Sequence, residues 1–406
     1  MSQRILFLTP QLPYPPQQGT AIRNYNLIAQ VARQHQVHLL SFADAQSTPT
    51  DLQPLRDLCA SLTTVPAPHR SPWRRLFTVL TSALPDMAHR LASPSFEQEL
   101  ATLWHAQRPD VVQIEGLEMA SYGLFLRRLE GRTPPRLVFD AHNAEYLLQQ
   151  RIFESDARRP QRWLGAIYSW TQWQKLRRYE ATVCQQADRV IACSPADARA
   201  LAGLVTGLEA LIVSNGVDTR HYQPGIVPPL PLGACAMVFT GKMDFRPNVD
   251  AVLWFGSQVL PAIRERYPEA HLYVVGKNPH PRLAPLAHQP GVTVTGFVED
   301  VRPYIAGAAV YVVPLLTGGG TRLKVLEAMA MGQAVVSTTL GCEGIDAVGQ
   351  RDVVLADQPD DFAAQTCALL ADETRRKALG RAARTFVEQH FDWSTVTRPL
   401  EALYGR

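Results

Sequence analysis

Short, β-branched apolar runs alternate along this chain with stretches in which apolar residues recur at helical spacing. Arg4 to Thr9 is the first such run, short enough for one buried strand. A proline-rich loop follows, then a predicted helix from Thr20 to Gln34 with Ile22, Leu27, Ile28 and Val31 inward. Further strands are predicted at Val37 to Phe42, Leu62 to Val65, Val111 to Ile114, Leu137 to Asp140, Val190 to Cys193 and Leu211 to Ser214. Alternation of this kind implies an α/β fold with a parallel, doubly wound sheet, whose ligands gather at the carboxyl ends of the strands.

The pattern then breaks and resumes. Pro224 to Gly233 reads PGIVPPLPLG, a proline-stiffened stretch that suits an interdomain linker, here assigned to 224–234. Cys235 to Thr240 opens a second alternating unit, with strands near His271 to Val275, Val292 to Thr295, Val310 to Val313, Ala334 to Ser337 and Val353 to Leu355. Two Rossmann-like domains in tandem are therefore expected, a division that a length of 406 residues also favours. After Asp360 the chain reads as helical to near its end, with a break around His390 to Trp393.

Composition narrows the function. The net charge of +3 is too small to call for nucleic acid as a partner. Six scattered cysteines without a C-x-x-C pair argue against zinc and against a disulfide framework, which fits the reducing cytoplasm. Ile5 to Leu8 is too short for a signal-peptide core, and no run approaches the roughly 18 apolar residues that span a bilayer. The opening strand, loop and helix lack a G-x-G-x-x-G fingerprint, which disfavours a dinucleotide oxidoreductase.

The most informative stretch is Pro314 to Val336, PLLTGGGTRLKVLEAMAMGQAVV. An apolar strand runs into Gly318, Gly319 and Gly320, then into a helix for which Thr321 is the predicted N-cap. Glycines at such a junction let backbone N–H groups approach an anion, and the helix N-terminus adds partial positive charge. Arg322 and Lys324 bring full charges to the same turn. A flexible loop with solvated cations is the competing reading of these residues alone. Glu327 favours the anion cradle, because a carboxylate in the apolar run VLEAMAM is costly unless hydrogen-bonded, and a ribose diol would satisfy it. The alternative is a surface glutamate paired with Lys324 three residues earlier.

GGGTRLKVLEAMAMGQAVVSTTLGCEGI resembles the C-terminal signature of the family 4 glycosyltransferases of GT-B fold. GFVED at 296–300, NGVD at 215–218 and the opening RILFLTPQLPYPPQQGTAIRNYNL agree with it in order, so the resemblance covers nearly the whole chain. More narrowly, the chain is similar to bacterial sugar transferases associated with exopolysaccharide and exosortase systems. The resemblance implies two Rossmann-like domains facing across a cleft, with a final helix crossing back. The expected boundaries are 1–223 with 392–406 for the acceptor side and 235–391 for the nucleotide-sugar side.

It also implies a donor site built from Gly19, Lys242, Phe297 and the run Gly318, Gly319, Gly320, Thr321, Arg322, Leu323 and Lys324, with Glu327 on the ribose. Phe297 is expected to present its backbone to the base while its ring packs. Gly19, where the first loop meets its helix, is expected near the donor phosphates; a simple turn glycine is the other reading. No D-x-D sequence occurs, so no metal and no cofactor are expected, and cations must stabilise the leaving diphosphate. Lys242 in GKMDFRPN fits as the main counter-charge. The family's second cation falls on neutral Asn248, for which Arg322 or Lys324 could compensate. Many relatives carry E-x7-E ending at the position of Glu327; here the first acid is Gly319.

On the acceptor side, His142 in FDAHNAE ends a strand and is expected near the anomeric carbon, with a satisfied core histidine as the alternative. Asn143 and Glu145 are expected behind it, while Asn215 and Asp218 are expected to cap and turn the chain. The resemblance implies retention of configuration by a front-side mechanism.

Two further stretches, His69 to Ala83 and Arg158 to Arg178, interleave cations with four of the seven tryptophans, Trp73, Trp163, Trp170 and Trp173. They suit helices lying at an anionic lipid surface, or ordinary amphipathic helices with tryptophan inside. The expected protein is a retaining glycosyltransferase at the inner face of the plasma membrane, passing a sugar from a nucleotide-sugar donor to a lipid-linked glycan. A nucleotide-sugar epimerase and a non-catalytic partner of the same fold are the alternatives.

Overall fold

The computed structural model describes residues 2–16, 19–44, 52–129, 135–158, 160–318 and 322–404. The chain separates into two compact units, residues 1–214 with 397–406, and residues 215–396.

In the first unit, strands β1 (Arg4–Thr9), β2 (Gln36–Ala43), β3 (Ser61–Pro66), β4 (Val111–Glu115), β5 (Arg136–Ala141), β6 (Arg189–Ala192) and β7 (Leu211–Ile212) pair in the order β3-β2-β1-β4-β5-β6-β7. Every pairing is parallel. Ile5 to Leu8 are buried on both faces, as a central parallel strand requires. The sheet reverses its winding between β1 and β4, so the loops after these two strands open a crevice at the carboxyl edge.

The second unit repeats the scheme with β8 (Ala236–Thr240), β9 (His271–Val275), β10 (Val292–Gly296), β11 (Val310–Val313), β12 (Val335–Ser337) and β13 (Val354–Leu355) in the order β10-β9-β8-β11-β12-β13. Its switch point lies between β8 and β11. The proline-rich segment 224–234 belongs to this unit: Leu230 N–H donates to the Pro303 carbonyl at 3.1 Å, and Tyr273 hydroxyl donates to the Leu232 carbonyl at 3.2 Å. Prolines keep the segment extended, and the backbone groups beside them fasten it to its own unit.

The helix after β1 spans Gly19–Val31 and buries Ala21, Leu27, Ile28 and Val31. It ends at Val31, short of the predicted Gln34, and its inward face differs from the predicted one. Arg23 and Asn24 are buried, and Ile22 is only partly so, because the inward face meets a carboxylate on β5. The C-terminal helix Arg398–Tyr404 is part of the first unit, as expected of a helix that crosses back. Tyr404 is buried, its hydroxyl donates to Gln113 Oε1, and Gln34 Nε2 donates to Glu401 Oε1 at 3.1 Å.

The tryptophan-bearing stretches form helices Pro72–Thr81 and Trp163–Gln186. Helix Pro72–Thr81 buries none of its residues, and Trp73, Phe77 and Leu80 are 80, 67 and 74 % exposed. On its other side it meets the longer helix through two hydrogen bonds: Arg75 Nη2 donates to Tyr168 hydroxyl at 3.3 Å, and Lys175 Nζ to the Val79 carbonyl at 2.8 Å. The longer helix turns Ala166, Ser169 and Gln172 inward and leaves Trp163, Leu164, Ile167 and Trp170 exposed, the reverse of a tryptophan-filled core. Trp173 alone of the four packs, stacked on Phe153 at 5.9 Å. Among the described residues no helix is long and apolar enough to cross a membrane.

Tyr404→Ala removes a buried ring and the hydrogen bond to Gln113. It is expected to cost the first unit about 3–5 kcal/mol in urea unfolding, with the second unit's transition unchanged. An unchanged first transition would show that the C-terminal helix contributes nothing to that unit.

Candidate active site

The second unit's switch point gathers most of the residues predicted to hold the donor. Gly241 and Lys242 follow β8, and Leu315 to Gly318 follow β11. Helix Leu323–Ala330 comes next, with Arg322 at its N-cap position. The Arg322 side chain makes no capping hydrogen bond, and the expected capping residue, Thr321, lies with Gly319 and Gly320 outside the described residues. Gly318 has φ +126°, and a Cβ there would lie 2.9 Å from Arg322 Nη2, so only glycine lets the guanidinium fold back over this turn.

Glu327 is half-buried, and it does not pair with Lys324. Its carboxylate accepts a hydrogen bond from the Tyr222 hydroxyl. Burial pushes the Glu327 carboxyl up, while Tyr222 and the charge of Lys324 pull it down without cancelling the rise. Lys324 Nζ instead donates to Asn248 Oδ1 at 2.8 Å and stands 4.0 Å from the centre of the Phe239 ring. Asn248 in turn donates from Nδ2 to the Lys242 carbonyl at 2.9 Å. Gly241 is required beside this pair, because a Cβ would come within 2.7 Å of Nζ and 2.8 Å of Asn248 Nδ2. The burial that surrounds Lys324, with Arg322 nearby, pushes its ammonium down to about 7 against the upward pull of Glu327.

Lys242 itself points outward, half exposed, 3.5 Å from Asp244. Such a pair is weak in water and free to exchange Asp244 for a stronger anion. Leu323 opens the helix. Arg246, one turn on, is committed to Asp250 at 3.5 Å. Phe297 departs from expectation: its ring is 70 % exposed instead of packed, since the chain leaves β10 through Gly296 at φ +72°. Asp218 performs the turn expected of it, accepting from the N–H groups of Arg220 at 2.9 Å and His221 at 3.0 Å.

In the first unit the crevice holds His142, just past β5. Its Nε2 lies 3.0 Å from Glu115 Oε2, and its Nδ1 lies near Gly116, whose φ of +85° favours glycine and where a Cβ would come 2.9 Å from Glu118 Oε2. Glu115 is fully buried. It accepts from Gln113 Nε2 at 2.6 Å and, with the Asn24 amide nitrogen turned toward it, from Asn24 at 2.8 Å. Asp140 is gripped by Arg23 through both oxygens, at 3.0 and 2.9 Å, and Arg23 Nη1 donates to the Val213 carbonyl at 3.0 Å. Two acids anchor the loop behind His142: Glu180 accepts from the N–H groups of Glu145 and Tyr146 at 3.0 Å each, and Asp197 from that of Ala144 at 3.0 Å. Asn143 donates to Glu145 at 3.2 Å. Gly19 begins the helix after β1, exposed, with open space where a Cβ would be.

Glu115, Asp140 and His142 place one ligand atom each within 4.8 Å of one another, the one such grouping among the described residues. The donor set fits a cation poorly, because Arg23 already neutralises Asp140 and a metal would have to stand beside that guanidinium.

Sequence reasoning missed Arg23, Glu115 and Tyr222. A signal for Glu115 exists: Gln113 and Glu115 share one face of a strand whose other positions are apolar, which marks a polar stripe in a buried sheet. Tyr222 follows the NGVD motif, but nothing local says that its hydroxyl meets Glu327.

Burial alone would lower the His142 pKa; the hydrogen bond that its ring donates to Glu115 and the charges of Asp140 and Glu115 outweigh it, so the net shift is upward from 6.5. A histidine raised in the folded state contributes stability that is full below its unfolded value and is lost as pH rises through the folded value. NMR titration is expected to find His142 above 6.5, and Glu115→Gln to bring it down. A wild-type value below 6.5 would contradict the arrangement.

The chain matches the family described as Glycosyltransferase Family 4 over residues 18–221, and that described as Glycosyl transferases group 1 over residues 234–372. It is 29 % identical over 206 residues to a phosphatidyl-myo-inositol mannosyltransferase of Mycolicibacterium smegmatis, covering 49 % of this chain and 52 % of that protein. It is 33 % identical over 210 residues to a GDP-mannose-dependent alpha-(1-6)-phosphatidylinositol monomannoside mannosyltransferase of Mycobacterium tuberculosis, covering 46 % and 53 %. The chain thus spans about half the length of the curated relatives it matches. Among solved structures it is similar to a sucrose-phosphate synthase from Thermosynechococcus elongatus, with TM-score 0.74, 18 % identity and coverage of 99 and 98 %. It is also similar to Anabaena HepE in complex with UDP and glucose, with TM-score 0.67, 14 % identity and full coverage of both chains. At such identities these structures speak for the fold. Half of the chain falls within the first family match and most of the remainder within the second, so this protein belongs to glycosyltransferase family 4.

Proposed function

We propose that this protein is a retaining glycosyltransferase that uses a nucleoside-diphosphate sugar, needs no metal ion, and serves a lipid-linked glycan of the exopolysaccharide or cell-surface kind. One observation carries the donor half of this reading: a half-buried Glu327 held by a tyrosine hydroxyl, on the helix that follows a glycine turn and Arg322 at a sheet switch point. A ribose diol can donate to that carboxylate, and the diphosphate can take Lys242 and Arg322 as counter-charges. The named relatives that use GDP-mannose and the neighbour that holds UDP support a nucleotide ligand here.

In the front-side reaction the bond from the anomeric carbon to the phosphate oxygen breaks while the acceptor oxygen bonds to the same face. The acceptor's proton passes to the departing phosphate oxygen. No carboxylate nucleophile is needed, which agrees with the crevice of the first unit, where Asp140 is bound by Arg23 and Glu115 by His142, Gln113 and Asn24. His142, held as a donor by Glu115, suits a sugar hydroxyl.

A lipid-linked acceptor fits the exposed apolar face of helices Pro72–Thr81 and Trp163–Gln186. An amphipathic helix ordinarily buries its apolar side, and Trp73, Phe77 and Leu80 do not. Arg74 on the first helix and Arg158 and Arg162 just ahead of the second are exposed as well, and such cations suit an anionic headgroup layer.

Calorimetry with UDP and GDP is expected to give saturable binding of one of them, weakened about tenfold or more in Lys242→Ala. No binding of either would remove the donor reading. In flotation with anionic vesicles the wild type is expected to rise and a Trp73→Ala, Phe77→Ala, Leu80→Ala variant to stay below, with equal melting temperatures because none of the three is buried. Equal flotation of both would remove the membrane reading.

A further inference from the structure

Asn248 stands where the donor site's second cation is expected, and it is neutral. The structure brings a different cation to it. Lys324, from the helix after β11, crosses to the turn after β8 and places Nζ 2.8 Å from Asn248 Oδ1, while Asn248 is itself fixed by the Lys242 carbonyl. The ammonium therefore sits at the switch point, beside the backbone of Gly241 and Lys242.

Its surroundings are those of a charge awaiting a partner. The groups around it are Arg322 and Glu327 on its own helix, Lys242 with Asp244 after β8, and the Tyr222 hydroxyl, which is spent on Glu327. The Tyr311 hydroxyl is shared with Thr240, and Arg246 on the helix of Asn248 is paired with Asp250. Among the described residues no carboxylate lies within ion-pair distance of Nζ; an amide oxygen and the face of Phe239 receive it. A lysine needs more than this to hold its proton when removed from water.

Resting on the donor reading above, we infer that Lys324 is the second diphosphate cation of this protein, positioned by Asn248, and that it takes up its proton together with the ligand. A diphosphate supplies the negative charge that the site itself withholds. The low proton affinity of the empty site, with Lys324 at about 7, makes the coupling visible in the neutral range. Below that value Lys324 is already charged and binding takes up nothing. Above it, each ligand bound brings up to one proton with it.

The test is calorimetry with UDP and GDP at about pH 6 and about pH 8, in buffers of small and large ionisation enthalpy, on the wild type, Lys324→Met, Asn248→Ala and Lys324→Met with Asn248→Lys. Lys324→Met replaces an ammonium by an apolar chain of similar length, and its melting temperature checks the fold. Expected is proton uptake by the wild type at the higher pH that is absent from Lys324→Met, together with an affinity loss of about tenfold or more. Asn248→Ala should move the pH at which uptake appears, which a merely structural residue would not do. Adding Asn248→Lys to Lys324→Met should restore affinity, because the new lysine returns an ammonium to the place that Nζ leaves. Wild-type affinity and unchanged proton uptake in Lys324→Met would overturn the inference and leave the donor reading intact. Failure of the wild type to bind either nucleotide would overturn both.

Discussion

A charge taken out of water must find a partner, and at the carboxyl edges of two parallel sheets this protein meets that demand in opposite ways. In the first unit every buried charge near the switch point is answered from within. Arg23 and Asp140 form a two-pronged pair at 3.0 and 2.9 Å, and Glu115 is ringed by His142, Gln113 and Asn24. The second unit keeps a lysine and a glutamate three residues apart on one helix and gives each a neutral partner, Asn248 and Tyr222. One edge is complete as it stands; the other has charge left for a ligand.

This difference suits a transfer reaction. In the proposed reaction the crevice of the first unit needs fixed geometry, and a closed network of hydrogen bonds anchored by Arg23 to the Val213 carbonyl and by Tyr404 to Gln113 gives His142 one orientation. In that proposed reaction the edge of the second unit needs affinity for a highly charged leaving group that must also depart. Counter-charges that are weakly committed, such as Lys242 beside exposed Asp244, can bind a diphosphate without first breaking a strong pair.

Much of this was legible in the residues themselves. Continuous apolar runs located the central strands such as β1, β8 and β11, because a strand buried on both faces has few polar positions to blur it. Glu327 announced itself as a carboxylate in an apolar helix, and His142 as a polar side chain at a strand end. What stayed hidden depends on contacts between distant segments. Arg23 reads as an outward residue on helix Gly19–Val31 until Asp140, 117 positions on, turns it inward. The partner of Glu327 is Tyr222, and that of Lys324 is Asn248, 76 positions away; the local i, i+3 pairing, the alternative reading of these two residues, lost to both. Tryptophans in helix Trp163–Gln186 could have filled a core or faced a membrane, and only the inward phase of Ser169 and Gln172 decided that Trp163 and Trp170 point out.

The account depends most on the claim that the Glu327 carboxylate is built to receive a ribose diol, with Tyr222 holding its place in the meantime. The direct measurement compares binding of UDP or GDP with that of the matching 2′,3′-dideoxy nucleotide, in the wild type and in Glu327→Gln. The account predicts that the wild type prefers the ribose form by about tenfold or more, the worth of a charge-assisted hydrogen bond, and that Glu327→Gln loses most of this preference while still binding the diphosphate. Equal preference for the ribose in both proteins would contradict it.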